Sequence, residues 1–185
     1  MRRLFALGET VYDIIFKNDK PVEGRPGGAM LNTAVSLGRL NAPVYLISGF
    51  PDDYIGEIIQ NFLVQNDVNT DFVTTYMCAK SRSALAFLNE NQDANYSFYK
   101  IQQKKKTPLQ FPEVNEDDII LFGSFYAIKP DIREEVRAFI EYARSNGALI
   151  VYDPNFRKAH LNMLDEVQPF IEENIALSDI VKGSN

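Results

Sequence analysis

The sequence predicts an α/β fold in which a doubly wound, mainly parallel sheet is flanked by helices. Two observations lead to this class. Short apolar runs alternate with amphipathic stretches of ten or more residues, which is the pattern of βαβ units. Beyond the second helical stretch, strands joined by polar connections interrupt the alternation, and they indicate an appended β-element.

The first elements follow from apolar periodicity and from the residues that interrupt it. Two short apolar runs, Leu4–Gly8 and Val11–Phe16, predict strands. After Gly28 the apolar residues recur with a period near 3.6, which predicts a helix that ends before Pro43 because proline cannot continue a helix. A strand at Val44–Ser48 follows.

A second helix is predicted to open at Pro51, where Asp52 and Asp53 complement the positive end of the helix dipole. Beyond Thr70 the rhythm changes to consecutive strands, and the polar residues between the last two suit a hairpin. These strands are Asp71–Met77, Ser83–Asn89 and Tyr96–Ile101.

The βαβ alternation returns in the last third of the chain. Buried strands are predicted at Asp118–Gly123 and Ala148–Asp153, with an amphipathic helix over Asp131–Asn146 between them. A helix around Asp165–Ile175 precedes a last short strand, Ile180–Lys182.

Composition excludes several classes of function. A formal charge of −6 and a pI near 4.9 argue against nucleic acid or an anionic membrane as the main partner. With one cysteine, Cys78, and one histidine, His160, the 185 residues hold neither an internal disulfide nor a multi-histidine metal site, and both residues are interpreted as structural or surface residues. Glu9 interrupts the N-terminal apolar run too early for a secretory signal, so a cytoplasmic protein is expected.

The turn Pro26-Gly27-Gly28, which runs directly into the first helix, is the strongest functional signal. Gly28 lets the backbone approach a ligand closely, and the first helical turn presents amide groups without intrahelical partners. Asn32, one turn further on, both donates and accepts hydrogen bonds. The turn lacks the glycine spacing of a dinucleotide or P-loop motif, so it predicts a neutral pocket for a hydroxyl-rich ligand.

Three further groups of residues are candidates for ligand contact. The carboxylate of Asp13 can accept hydrogen bonds from two adjacent hydroxyls, and this interpretation is favoured over a turn-forming Asp because a Gly-Gly turn follows. In Asp153-Pro154-Asn155-Phe156-Arg157, Asn155 and Arg157 offer a ligand amide and guanidinium groups, although an ordinary Asp-Pro-Asn turn explains them equally well. Strand alternation places Phe98 and Lys100 on one face, either as hairpin packing or as an apolar wall and polar tip over a sugar.

These motifs in this order resemble the ribokinase-like (PfkB-type) carbohydrate kinases, and among them the fructokinases and 2-keto-3-deoxygluconate kinases. The resemblance extends over almost the whole chain. Its residues are Gly8-Glu9 with Asp13, Gly27-Gly28-Ala29-Met30-Leu31-Asn32-Thr33-Ala34, Gly49-Phe50-Pro51-Asp52-Asp53-Tyr54-Ile55-Gly56, Phe98-Tyr99-Lys100, Asp153-Pro154-Asn155-Phe156-Arg157 and Ile180-Val181-Lys182-Gly183-Ser184-Asn185.

The resemblance implies an α/β core that binds sugar and ATP, and a small β-sheet lid that closes over the sugar. The core would comprise residues 1–10, 17–70 and 110–185, and the lid residues 11–16 and 71–109. It also implies a homodimer through the lid and MgATP as phosphoryl donor, and it leaves dependence on a monovalent cation open. The residues that it assigns to sugar binding are Asp13, Gly27, Gly28, Asn32, Phe98, Lys100, Asn155 and Arg157.

The residues that would perform phosphoryl transfer in such kinases have no match in this sequence. The family's catalytic Asp lies in a Gly-Ala-Gly-Asp-type motif, and no Gly-x-Gly-Asp occurs in the 185 residues. Asn185 matches the start of an Asn-x-x-Glu segment associated with Mg²⁺ and phosphate, so it is expected to contact nucleotide. The expectation is therefore the N-terminal portion of an ATP-dependent sugar kinase for fructose or a related sugar. In that case the C-terminal part of the fold is absent, the base Asp lies downstream of Asn185, and the chain alone is inactive.

Two alternatives stay open at this stage. One is a non-catalytic sugar-binding or regulatory protein, and the other is a nucleoside kinase of the same fold. The identity of the sugar is also open, because Lys100 stands where fructokinase-like members commonly have Arg.

Overall fold

A computed structural model describes residues 2–77, 79–89, 94–99, 108–156 and 158–183. Six strands form an all-parallel main sheet in the order β10-β9-β8-β1-β4-β5. The strands in chain order are β1 (Leu4–Leu7), β2 (Val11–Lys17), β3 (Lys20–Gly27), β4 (Val44–Pro51), β5 (Val73–Tyr76), β6 (Ser83–Leu88), β7 (Ala94–Tyr99), β8 (Ile119–Gly123), β9 (Leu149–Asp153) and β10 (Ile180–Val181). The helices are α1 (Ala29–Arg39), α2 (Tyr54–Gln65), α3 (Arg133–Ser145) and α4 (Leu164–Leu177).

Helices cover both faces of the main sheet, which confirms the predicted doubly wound α/β fold. Successive side chains of β4 point to opposite faces of the sheet, so Leu46 packs against the helices on one face and Ile47 against those on the other. The first face packs against apolar residues of α1 and α2, namely Met30, Leu31, Ala34, Val35, Ile59 and Leu63. The second face packs against α3 and α4 through Val136, Phe139, Ile140, Ala143, Ile171 and Leu177.

Strands β3, β2, β6 and β7 form a second sheet, in that order. Strands β2 and β3 make an antiparallel hairpin whose turn residues, Asn18 and Asp19, both adopt positive φ, as a tight hairpin requires. Strand β6 lies parallel to β2 and antiparallel to β7.

The structure differs from the predicted boundaries at β3 and β5. Strand β3 belongs to the second sheet, although the sequence assigns residues 17–27 to the core. The sequence does not predict this strand because Pro21, Gly24 and Pro26 are typical of turns. Proline is compatible with this position because β3 is an edge strand and need not donate to a second neighbour. Strand β5 pairs with β4 in the main sheet, although residues 71–109 were assigned to the lid.

Helix α2 begins later than predicted. Pro51 ends β4, and Asp53 is the N-cap of α2, where its Oδ1 accepts a hydrogen bond of 2.9 Å from the amide of Gly56. Among the helices that the structure describes, none has the length and apolar content to cross a membrane.

A carboxylate at the amino-terminal edge of the main sheet provides a test of the packing. Asp118 is 2% exposed and accepts hydrogen bonds from Arg3 at 2.6 and 3.1 Å and from the amide of Asn115 at 2.8 Å. Burial alone would raise the pKa of Asp118, but the hydrogen bonds and the Arg3 charge outweigh it and hold that pKa below its ordinary value.

Asp118→Asn is expected to lower the free energy of unfolding by about 1–2 kcal/mol at pH 7, because the amide NH2 group cannot accept from Nε of Arg3 as Oδ1 of Asp118 does, and because the charge that pairs with the guanidinium is lost. A lowered pKa stabilises the fold above the unfolded value and loses that contribution as pH falls through the folded value. The difference between wild type and variant should therefore shrink in acid. Urea unfolding at neutral pH and at about pH 2.5 measures the difference in free energy of unfolding between wild type and Asp118→Asn. If that difference does not change with pH, the explanation is contradicted.

Candidate active site

The candidate site lies at the carboxyl edge of the main sheet, where parallel α/β sheets place ligands. The chain leaves this sheet at Gly8, forms the β2–β3 hairpin of the second sheet, and returns at Gly28 to begin α1. This excursion brings one face of the second sheet and the N-terminus of α1 to the same edge.

Asp13 and Gly27 are adjacent across the β2–β3 hairpin. Gly27 pairs with Val11, and Asp13 pairs with Arg25, so the side chain of Asp13 and the open face of Gly27 lie on the same side. A Cβ at Gly27 would overlap the Oδ2 atom of Asp13. The absence of a side chain at Gly27 therefore makes room for the half-buried carboxylate of Asp13.

Gly28 and Asn32 form the start of α1. Gly28 is the N-cap with φ of 124°, and a Cβ there would overlap the backbone oxygen of Glu9, so glycine is required on both grounds. The amide of Asn32 donates to the carbonyl of Gly28 at 2.9 Å, which closes the first turn and leaves the preceding amides without intrahelical partners. The side chain of Asn32 is exposed at this end of the helix.

Phe98 lies on the same face of the second sheet as Asp13. Ala84 of β6 pairs with Asp13 on one side and with Phe98 on the other, so the three side chains form one row across the sheet. Phe98 is 53% exposed and stacks on Tyr96, with ring centroids 5.8 Å apart and an interplanar angle of 12°.

Asn155 lies at the same edge of the main sheet, beyond β9 and two strands from β1. It adopts φ of 41°, and its amide donates to Oδ1 of Asp153 at 3.0 Å. This is the Asp-Pro-Asn turn that explains the sequence locally, and it places Asn155 at the carboxyl edge of the main sheet. The other predicted site residues, Lys100, Arg157 and Asn185, lie outside the described residues.

Sequence reasoning missed a charged cluster beside the Gly28 turn. Oε2 of Glu9 accepts from both Arg82 and Lys129. Burial raises the pKa of Tyr126, and the negative charge of Glu9 raises it further. Nζ of Lys129 lies 5.1 Å from the centroid of the Tyr126 ring. Glu9 and Arg82 are 73 residues apart, and only the pairing of β2 with β6 brings them together.

The part of the chain described by the structure contains no group of three or more His, Cys, Asp or Glu side chains that could hold a metal ion. The described residues at this edge supply a carboxylate, an amide side chain, the backbone amides that open α1 and an exposed aromatic ring, and such groups can hydrogen-bond and cover a hydroxyl-rich ligand.

Comparison with known proteins identifies the family of the chain. The model of the pfkB family of carbohydrate kinases matches residues 1–185, and the chain belongs to that family. The chain is 25% identical over 190 residues to a fructokinase of Vibrio alginolyticus and 28% identical over 190 residues to a fructokinase of Rhizobium leguminosarum bv. trifolii. Those alignments cover 100% and 98% of this chain but 61% and 57% of the relatives, so the chain spans about three fifths of their length.

Solved structures show the same fold. A fructokinase of Vibrio cholerae O395, described as bound to fructose, ADP and a calcium ion, superposes with a TM-score of 0.84 at 22% identity, covering 99% of this chain and 60% of that one. An aminoimidazole riboside kinase of Salmonella enterica, complexed with its riboside and an ATP analogue, superposes with a TM-score of 0.79 at 19% identity, covering 97% and 59%. At these identities the likeness concerns the fold.

Proposed function

We propose that this chain is the sugar-binding part of an ATP-dependent kinase that transfers the γ-phosphoryl group to a hydroxyl of fructose or a related sugar. The observation that carries the proposal is the carboxylate of Asp13, placed beside Gly27 at the same sheet edge as the free amides of α1. Charged acceptors and backbone donors together suit a neutral polyol, because each hydroxyl both donates and accepts.

Each site residue has a role in this proposal. Asp13 accepts hydrogen bonds from two neighbouring hydroxyls, Gly27 and Gly28 allow the sugar to approach the backbone, and Asn32 bonds a further hydroxyl. Phe98 covers the apolar side of the sugar from the second sheet, which acts as a lid. By the family resemblance, Lys100 contacts the sugar from the lid together with Phe98, and Arg157 reaches the far end of the sugar; Asn155 is a further sugar-binding residue of this proposal.

Phosphoryl transfer itself is assigned to residues that do not occur in this chain. The sequence has no Gly-x-Gly-Asp, and the relatives are longer by about two fifths of their length. We therefore expect the 185-residue chain to bind sugar without phosphorylating it. In the proposed enzyme MgATP is the donor, Asn185 contacts the nucleotide, and a monovalent cation is an open addition.

The proposed setting is a cytoplasmic homodimer that pairs through the lid. The support is the face of the second sheet opposite Asp13, where Phe16 stacks on Phe87 at 4.9 Å and both Phe87 and Tyr99 are exposed. An apolar sheet face of this kind is suited to burial against a second copy.

Calorimetric titration of the purified chain tests sugar binding. Fructose is expected to bind, and ribose and a ketodeoxygluconate serve as competitors that rank the sugar class. For a protein extended through the rest of the reading frame, coupled ADP release with fructose and MgATP is the expected activity. If no sugar binds to the chain and the extended protein releases no ADP with any of them, the proposal fails.

A nucleoside kinase is the second candidate, and one observation favours it. Tyr96 and Phe98 stack nearly parallel on the Asp13 face, and both are about half exposed, so a flat heteroaromatic base could extend the stack. Tyr96→Ala would then weaken binding of a purine riboside while leaving fructose binding unchanged. Equal effects on both ligands, or none on either, would remove this candidate.

A further inference from the structure

Three crossings between the main sheet and the second sheet meet at Glu9. Glu9 itself lies in the first crossing, from β1 to β2, and its backbone oxygen lies against Gly28 in the second crossing, from β3 to α1. Its carboxylate accepts from Arg82, which ends the third crossing, from β5 to β6, and from Lys129 of the core. We call Glu9, Arg82 and Lys129 the Glu9 clamp.

The third crossing is held by a second carboxylate as well. Ser81 donates its amide to Oδ2 of Asp53 at 2.8 Å and its hydroxyl to Oδ1 at 2.6 Å. Asp53 also caps α2, so it ties this crossing to the core. Burial alone would raise the pKa of Asp53, but the hydrogen bonds from Ser81 and Gly56 outweigh burial and lower that pKa. The carboxylate therefore stays ionised, and keeps these hydrogen bonds, in mild acid.

Arg82 lies at the start of the pairing between β2 and β6, next to the Asp13 face of the second sheet. The carbonyl of Arg82 accepts a hydrogen bond of 2.9 Å from the amide of Tyr12, and the pairing of β2 with β6 begins at this bond. Ala84, two residues further on, lies between Asp13 and Phe98 in one row. Among the described strands, β7 pairs with β6 alone, so the placement of Phe98 depends on how the start of β6 is held.

The clamp is neither fully buried nor fully exposed. The side chains of Arg82, Glu9 and Lys129 are 36%, 26% and 13% exposed. Charge pairs at this depth are screened less than surface pairs but still respond to salt. Removing the charge of Glu9 would remove the negative charge that Arg82 and Lys129 share.

We propose that Glu9 is a positioning residue: through Arg82 and Lys129 it holds the second sheet at a fixed angle over the Asp13–Gly28 edge, and thereby sets the affinity for the ligand. The effect on sugar affinity rests on the proposed function, whereas the effect on sheet orientation does not.

Orientation is measured without any ligand. Spin labels at Val22→Cys in β3 and Val64→Cys in α2, both exposed positions, in a Cys78→Ser background report the distance between the second sheet and the core. Glu9→Gln is expected to broaden the distance distribution relative to the labelled parent. Arg82→Lys, which keeps the charge, and Asp118→Asn, which weakens the opposite edge of the sheet, should leave it narrow. An unchanged width in Glu9→Gln overturns the proposal.

Affinity is measured by fructose titration of the same variants. Glu9→Gln is expected to weaken binding about 5- to 20-fold, since a smaller share of molecules has the competent orientation. Because fructose is uncharged, salt should weaken its binding to wild type more than to Glu9→Gln. Glu9→Gln with Arg82→Met should lose no more than either single variant. If the parent binds no sugar, the proposed binding of sugar by this chain fails while the distance measurement still decides the clamp; additive losses or an equal salt effect overturn the clamp alone.

Discussion

Asp13→Ala is expected to weaken fructose binding by about 1–3 kcal/mol, or roughly 5- to 150-fold in Kd, without unfolding the protein. The reason is that the substitution removes a charged acceptor of two hydroxyl hydrogen bonds. The half-buried Asp13 lies on the interior strand β2 of the second sheet and outside both apolar clusters of the main sheet, so the packing of those clusters is not disturbed. Calorimetric titration with fructose, paired with a thermal unfolding curve, measures both quantities.

A matched pair of glycine variants on β3 tests the same carboxylate from its neighbour. The methyl group of Gly27→Ala would overlap Oδ2 of Asp13 and displace the carboxylate. This variant should therefore weaken fructose binding about as much as Asp13→Ala does. The double variant should lose little more than either single variant. In Gly24→Ala, on the same strand but the opposite face, the new Cβ would lie 2.7 Å from the hydroxyl oxygen of Tyr12, away from Asp13. Equal losses in the Gly24 and Gly27 variants would show that the effect is on the hairpin rather than on the site.

Arg133→Ala is expected to lower the free energy of unfolding by about 2–4 kcal/mol, which would be the largest stability effect argued from the structure. Arg133 is 4% exposed and donates to Oδ1 of Asn174 at 2.6 Å, to the carbonyl of Ala127 at 3.2 Å and to Glu173. Its removal leaves the buried Asn174 without this donor and opens a cavity between α3 and α4. Denaturant unfolding at neutral pH measures the loss.

The neighbouring Arg137 is the control for Arg133. Arg137 pairs with the same Glu173 at 3.3 Å but is 41% exposed, so Arg137→Ala should change stability little. The hydrogen bond from Arg133 is the main cause of the lowered pKa of Glu173, ahead of burial, which opposes it. The stabilisation from Glu173 is therefore present above its ordinary pKa and is lost in acid. If Arg133→Ala and Arg137→Ala lower the free energy of unfolding by similar amounts, the burial of Arg133 is not the reason for its effect.

The fold class was predictable because its signals are local. Apolar residues spaced for a helix identified α1 and α3, and Gly28 marked the start of α1 correctly. Strand β3 was not predictable, because Pro21, Gly24 and Pro26 are local breakers, and their tolerance depends on β3 lying at the edge of a sheet.

The candidate site was predictable where its residues lie close in sequence. Asp13, Gly27 and Gly28 were named as candidates from short-range patterns, whereas the β2–β3 hairpin that makes Asp13 and Gly27 neighbours was not predicted. The link of Asp53 to Ser81 spans 28 residues, and the Glu9–Arg82 pair spans 73. These contacts depend on how the two sheets are joined, and no periodicity or turn signal carries that information.

Fructose titration followed by backbone amide chemical shifts is the most direct test of the claim that the Asp13–Gly28 edge holds the sugar. The predicted result is a set of saturable shifts centred on Asp13 and the turn from Gly27 to Asn32, lost in Asp13→Ala. Shifts that cluster elsewhere in the chain, or none up to millimolar fructose, would contradict it.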